Sequence, residues 1–339
     1  MEGRATGTMR RSQGQMVVAR ALWYVKPGVA ELRTERLAIP TPGEARVKTL
    51  FSAVSRGTER LVAFGHVPQS EWQRMRAPLQ SGTFPFPVKY GYSATGTVIL
   101  GPENLAGKTV FCLHPHQDYF QAPCELLVPV PPSVPARRAT LAANMETALN
   151  AHWDAGTGPG DSVLVVGGGI VGLLIGRIAG RVGGARVVLC DTDPAKAALA
   201  AALDVPFVEP GDVPGDNRIV FHTSATSSGL QTAINAAAFE GRVVEVSWYG
   251  DTPVTVNLGG AFHAKRLQLV SSQVGHVAPS RRTTVSHRKR LETALALLDD
   301  PALDALVAHD IAFESAADEL PALLAGACGG LPPVIRYPD

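Results

Sequence analysis

Residues 162–191 read SVLVVGGGIVGLLIGRIAGRVGGARVVLCD. The run has three parts: a continuous apolar stretch from Ser162 to Val166, a glycine turn opening a longer apolar run from Ile170 to Val182, and a third stretch from Ala185 to Cys190. Two short apolar runs around one of helical length make a strand–helix–strand unit, and strands without polar alternation belong in a parallel sheet covered on both faces. The turn Gly167-Gly168-Gly169-Ile170-Val171-Gly172 satisfies GxGxxG in the context that gives it meaning, directly after a strand and at the start of a helix. Gly167 permits the tight turn, Gly169 lets backbone approach a pyrophosphate, and Gly172 lets helix and strand pack closely. The helix start, with Ile170 and Val171, offers unpaired N–H groups and a positive dipole to phosphate. Asp191 closes the second strand roughly 20 residues further on, where a carboxylate accepts from the hydroxyls of an adenosine ribose. Its charge opposes a 2′-phosphate, which favours NAD over NADP. Thr192 follows it at the same edge.

C-terminal to this unit the alternation continues, with strands expected at Arg218 to His222, Arg242 to Val246 and Leu267 to Ser271, and a helix around Leu230 to Phe239. This is a doubly wound α/β pattern, and it places Ser224 and Ser247 just beyond two strand C-terminal ends, where such sheets bind ligands. Trp248 follows Ser247. N-terminal to the unit, short strands such as Met16 to Val25, Ala45 to Phe51 and Ala94 to Leu100 are broken by Pro and Gly, the pattern of a β-rich domain. A helical stretch from Arg138 toward Trp153 leads to the turn cluster Gly156 to Asp161, the expected boundary. After Val285 a long helix, His287 to Leu298, leaves the alternation. We therefore expect a first domain over 16–150, completed by about 286–339, a cofactor domain over 151–285, and a disordered extension over 1–15.

The composition agrees. The 339 residues suit two cores, and with 45% apolar and 18% charged residues the chain lies outside the disordered regime. A net charge of +1, with Lys and Arg spread along the chain, gives no footprint for nucleic acid or an anionic membrane, so the partner is a small molecule. Four scattered cysteines, Cys112, Cys124, Cys190 and Cys328, read as reduced thiols of a cytoplasmic protein. No apolar run reaches the roughly 18 residues of a membrane span.

A β-rich first half followed by this dinucleotide unit resembles the medium-chain dehydrogenase/reductase superfamily, the zinc alcohol dehydrogenase type. The resemblance covers nearly everything from Met16 to Pro338 and implies a GroES-like catalytic domain, a Rossmann NAD-binding domain, and a homodimer. Where those enzymes carry Cys-Gly-Thr-Asp, this chain has Arg56-Gly57-Thr58-Glu59; where they carry Gly-His-Glu, it has Gly91-Tyr92-Ser93. Their third ligand falls at Ala143, four residues before Thr147, the threonine that abuts the nicotinamide. Zinc catalysis needs at least three protein donors, and these replacements supply none of the usual kind, so no zinc is expected. Gly101 to Lys108 is too short for the family's structural-zinc lobe. His114, His116 and His152 offer an alternative metal site, which Pro115 and the lack of a nearby carboxylate argue against.

Without a metal, another group must polarise the substrate oxygen and move a proton. Tyr92 is the candidate acid, with Lys89 or Arg56 as the assisting cation, and Thr58 stands at the family's proton-relay hydroxyl. We assign Glu146, His116 and Trp248 to the walls of the substrate pocket. The insertion His66 to Phe86 is long enough for a lid or a substrate-specific wall. The expected reaction interconverts a secondary alcohol and a ketone. Reduction of an activated C=C bond and non-catalytic nucleotide binding are the other readings the motifs permit.

Overall fold

The computed structural model describes residues 16–326 and 330–338. The expected extension over 1–15 and Cys328 lie outside them. The first half opens with β1 (Val17–Lys26), β2 (Val29–Leu37), β3 (Glu44–Ala53) and α1 (Arg56–Phe64). It continues through β4 (Ser81–Gly82), β5 (Val88–Lys89), β6 (Ala94–Leu100), β7 (Thr109–Cys112), β8 (Tyr119–Pro123) and β9 (Val128–Pro129). Two helices follow, α2 (Ala136–Ala139) and α3 (Ala142–Ala155).

The second half alternates β10 (Ser162–Val166), α4 (Ile170–Gly180), β11 (Arg186–Cys190), α5 (Lys196–Ala202), β12 (Phe207–Val208), β13 (Asn217–His222), α6 (Ser227–Ala236), β14 (Ala237–Glu245) and β15 (Gln268–Ser271). The chain ends with α7 (His287–Leu297), β16 (Asp310–Ala312), α8 (Ala316–Ala325) and β17 (Val334–Arg336).

Strands β10 to β15 form a six-stranded sheet of order β12-β11-β10-β13-β14-β15, parallel at every pair. The order reverses between β10 and β13. A doubly wound sheet binds its ligands at that reversal, outside the carboxyl ends of the strands. Val163 to Val165 are fully buried, as strands covered on both faces require.

The first half forms two antiparallel systems, β2-β1-β5-β4 and a larger sheet in which β3 pairs with β6, β8 and β17. The last strands therefore return to the first sheet. Helix α7 packs on α3, and α8 on α1 and β2. One core runs from Phe111 through α3 into β10 and α4; another gathers β1, α1, α8 and the end of the chain around Tyr24, Phe313 and Tyr337.

Three expected boundaries shift. The helix around Leu230 to Phe239 stops at Ala236, because β14 begins at Ala237 and carries an irregularity in its pairing with β13. Glu240, at φ 54°, and Gly241, where a Cβ would lie 2.9 Å from the Ala238 carbonyl oxygen, take up the extra residues. The stretch expected to be one helix from Arg138 is two, broken at Thr140–Leu141. The insertion His66 to Phe86 is neither a helix nor a free lid. It folds through a single turn at Gln69–Glu71, buries Phe84, packs Trp72 and Phe86 against the second core, and adds β4 to the edge of β5.

Candidate functional site

The glycine turn is shaped by contacts that only glycine allows. Gly167 takes φ 116°, and a Cβ there would lie 2.7 Å from the Ser224 backbone nitrogen. A Cβ on Gly172 would lie 1.9 Å from the Gly167 carbonyl oxygen, so the close helix–strand packing required of the third glycine is met. A Cβ on Gly169 would meet nothing within 4 Å, which leaves open space where phosphate approaches. Helix α4 has no side-chain cap, so the amides of Ile170, Val171 and Gly172 begin a helix with nothing of its own to receive them. Asp191 faces this turn: its Oδ2 accepts from the Gly168 amide at 2.5 Å and its Oδ1 from the Asp193 amide at 2.9 Å. A carboxylate has about four acceptor positions, so capacity for two ribose hydroxyls remains. Thr192 is exposed beside it. Glycine shape, uncapped helix and carboxylate together fit a dinucleotide.

In the first half, Gly91 to Ser93 and the start of α1 bring Tyr92, the acid expected from the sequence, beside Ser55 and Thr58. Tyr92 packs against both cores and edge-to-face on Tyr90, with ring centroids 5.9 Å apart. Burial pushes its phenol up to about 12, opposed by hydrogen bonds with Ser55 and Thr58. The structure thus joins Tyr92 to Thr58. Thr147, on α3, returns its hydroxyl to the Ala143 carbonyl at 3.0 Å. Trp248 lies partly buried against the second core, which Tyr92 also touches. Ser247, at the end of β14, accepts from the Ala225 amide at 3.1 Å.

Four expected residues lie elsewhere or do other work. Lys89 is not the cation beside Tyr92: its buried ammonium pairs with Glu35 at 2.7 Å and donates to Gln117 at 3.0 Å, held by the alternation of β5. Arg56 begins α1 and donates to the Gly330 carbonyl at 3.0 Å, and its charge is felt at Lys196 of the cofactor half. The groups that act on the Tyr92 hydroxyl are Ser55, Thr58 and Glu59. Glu146 is no pocket wall; it is buried against Arg290 of α7 at 3.0 Å. His116 is fully buried, with Nδ1 at 2.7 Å from Ser52 Oγ and Nε2 at 3.0 Å from Glu59 Oε2.

His114 and His152 make separate contacts. His114 bonds the Pro115 carbonyl and stacks on Phe120, and burial lowers it to about 3. His152 bonds Thr157 and the Ile175 carbonyl. No group of three His, Cys, Asp or Glu able to hold a metal occurs among the described residues.

Two clusters escaped the sequence reading. Glu59 also accepts from the Ser55 amide at 2.7 Å and from the Tyr24 hydroxyl at 3.3 Å, and Ser52 continues the network to Tyr337 at 2.9 Å. Its members come from four separate stretches of chain, around Tyr24, Ser52 to Glu59, His116 and Tyr337, which no spacing reveals. The second cluster was within reach. His222 and Glu245 are the last residues of adjacent strands β13 and β14 and stand in register. A polar residue directly after each of the apolar runs Ile219–Phe221 and Val243–Val244 was the available signal.

No family model matches the chain. It is 28% identical over 193 residues to L-galactonate-5-dehydrogenase of Escherichia coli (strain K12), a match covering 51% of this chain and 56% of that one, so the similarity spans little more than half of the relative's length. Among solved structures, L-idonate 5-dehydrogenase from Escherichia coli str. K-12 substr. MG1655 superposes with a TM-score of 0.77 at 14% identity, covering 95% of this chain and 99% of that one. A short chain alcohol dehydrogenase from Escherichia coli CFT073, complexed with NADH, gives 0.73 at 16% identity over 94% and 99%.

Proposed function

We propose that this chain, which has the fold of the zinc alcohol dehydrogenase-like medium-chain dehydrogenases, is an NAD-dependent oxidoreductase interconverting a secondary alcohol and a ketone on a small polar metabolite without catalytic zinc. The Tyr92 hydroxyl, held by Ser55 and Thr58 where the two cores meet, carries this reading. A bound nicotinamide dinucleotide supplies or takes the hydride. Gly167, Gly169, Gly172 and the amides of Ile170 and Val171 hold its phosphates. Asp191 and Thr192 hold its adenosine ribose, and Thr147, Ser224 and Ser247 line the path of its other half. Trp248 closes the substrate side against water. In reduction, Tyr92 donates its proton to the carbonyl oxygen as negative charge develops there, and Thr58 passes a proton back. Arg56, whose charge is felt at Lys196 of the second half, meets anionic groups of the substrate or cofactor. Polyhydroxylated substrates accord with the names of L-galactonate-5-dehydrogenase and L-idonate 5-dehydrogenase. The free thiols of the described residues suit the cytoplasm. The open edge of β15, with Leu269 exposed, is where two copies are expected to pair.

A panel of hydroxyl compounds and ketones, followed by NADH absorbance, tests the reaction; turnover of none of them with either cofactor counts against it. The cofactor preference has its own test. NADH binds more tightly than NADPH in fluorescence titrations, and Asp191→Ala narrows the difference, because removing the carboxylate removes both the ribose acceptor and the repulsion of a 2′-phosphate. Equal affinities in the unmodified chain remove that argument. For the metal, elemental analysis after dialysis against chelator is expected to find well under one zinc per chain. A stoichiometric value would mean a site the donor set does not reveal.

A further inference from the structure

The carboxyl ends of β13 and β14 hold a buried His–Glu pair to which the dehydrogenase reading gives no role. His222 is fully buried, its Nδ1 at 2.7 Å from Glu245 Oε2 and its Nε2 at 2.7 Å from Ser224 Oγ. A neutral imidazole with its proton on Nδ1 satisfies both contacts, donating to the carboxylate and accepting from the serine. Glu245 is fixed in turn: its Oε1 accepts from the Ser247 amide at 2.8 Å and its Oε2 from the Tyr249 hydroxyl at 2.9 Å. Burial pushes the Glu245 carboxyl up, but His222, the Ser247 amide and Tyr249 together hold it below its ordinary value. Carboxylate, imidazole and hydroxyl thus stand in the order and spacing of a base-activated nucleophile.

Sheet stability does not require this arrangement, since an apolar pair at the same register would pack without the desolvation cost of a buried carboxylate and imidazole. The surrounding backbone also favours it. Ala225 takes φ 52°, a strained value for a residue with a Cβ, in the turn that follows Ser224. Helix α6 then starts so close that a Cβ on Gly229 would lie 2.1 Å from Ser224 Oγ. The first turn of α6, whose Gly229 amide is taken by the capping Thr226 hydroxyl at 3.0 Å, therefore lies beside Ser224 Oγ. Ser224 is partly accessible and borders the Gly167 turn.

We propose that Ser224 is an activated nucleophile and that the chain carries an acyl-transfer activity toward small carboxylic esters. Ser224 Oγ bonds to the ester carbonyl carbon while His222 Nε2 takes the hydroxyl proton. The ester C–O bond breaks, and the alcohol leaves carrying that proton. Water, losing a proton to Nε2, attacks the acyl carbon, releases the carboxylic acid and restores Ser224. No oxidant or reductant enters. The activity is independent of hydride transfer, but a dinucleotide on the glycine turn covers Ser224, so the two ligands exclude each other.

The test treats the full chain with a fluorophosphonate and with p-nitrophenyl acetate. One adduct per chain is expected, mapped to Ser224, absent in Ser224→Ala and slowed by saturating NADH. His222→Gln, which retains the hydroxyl, slows labelling and ester hydrolysis by about 10²–10⁴-fold, the usual contribution of a general base. Ser224→Cys guards against a folding artefact: iodoacetamide alkylates this variant faster than any cysteine of the unmodified chain. An adduct elsewhere, labelling unchanged in His222→Gln, or no adduct in a chain that still binds NADH overturns the proposal. That last result leaves the dehydrogenase reading intact, whereas labelling in a chain that binds no dinucleotide sinks the dehydrogenase and keeps the nucleophile.

Discussion

Tyr92→Phe lowers turnover of a ketone by about 10²–10⁴-fold while dinucleotide affinity stays nearly constant, because general acid catalysis contributes that much and the ring's packing is kept. The change removes the hydroxyl, and with it the transferable proton and the hydrogen bonds with Ser55 and Thr58. Burial holds the Tyr92 phenol at about 12, so the donating form persists across the neutral and moderately alkaline range, and reduction fails on this account only as pH approaches that value. The hydrogen bonds from Ser55 and Thr58 favour the phenolate left after transfer. Thr58→Val is therefore expected to cost less than the tyrosine change, since Ser55 still serves the developing charge. Steady-state rates under conditions where chemistry limits turnover decide the matter. Full turnover in Tyr92→Phe would reduce the tyrosine to packing and move the reading toward reduction of an activated double bond.

Arg290→Met destabilises the fold by about 3–5 kcal/mol, the usual cost of leaving one member of a buried ion pair alone. Arg290 is 1% exposed and holds Glu146 at 3.0 Å, Asn150 at 2.6 Å, and the Val274 and His276 carbonyls at 2.5 and 3.1 Å. One side chain thus fastens α7, α3 and the segment after β15. The effect also depends on pH. Burial raises the Glu146 carboxyl above its ordinary value and Arg290 partly offsets this, so removing the arginine raises it further. A carboxyl raised in the folded state binds more protons there than in the unfolded chain, so the variant's deficit is full above the raised value and shrinks as pH falls through it. Denaturant unfolding at two pH values checks both claims, and a loss below about 1 kcal/mol at neutral pH would show the ion pair to be dispensable. Replacing both partners with apolar residues is expected to recover much of the loss.

The cofactor half was legible because its determinants are local. Ser162–Val166 was placed to the residue, since strand, turn and helix follow one another within a short stretch and each glycine of GxGxxG answers to one steric demand. The first half was legible at the strand Ala94–Leu100 and otherwise only where a motif stood in for geometry. Tyr92 and Thr58 are brought together, but Lys89 was misjudged because three residues of separation along an extended segment say nothing about facing, and β5 turns it toward Glu35. Glu146 and His116 read as cleft polarity, yet each pairs with a residue more than fifty positions away, Arg290 and Glu59. Such pairs are set by how helices and loops stack, which a single sequence does not encode locally. Glu59 shows the limit most clearly: quoted within a motif, it proves to be the centre of a buried network whose partners lie on three other segments.

The pairing of β17 with β3 has a further consequence for how the chain is made. A ribosome releases residues in order, so β3 emerges early and keeps an unsatisfied edge at Phe51–Ala53 until Val334–Arg336 follow nearly three hundred residues later. The sheet from β10 to β15 draws on one uninterrupted stretch and can close while the remainder is still being synthesised. The middle of the polypeptide is thus ready before its beginning, and during that interval the exposed ladder of β3 is the place where a nascent chain is most open to pairing with the wrong neighbour.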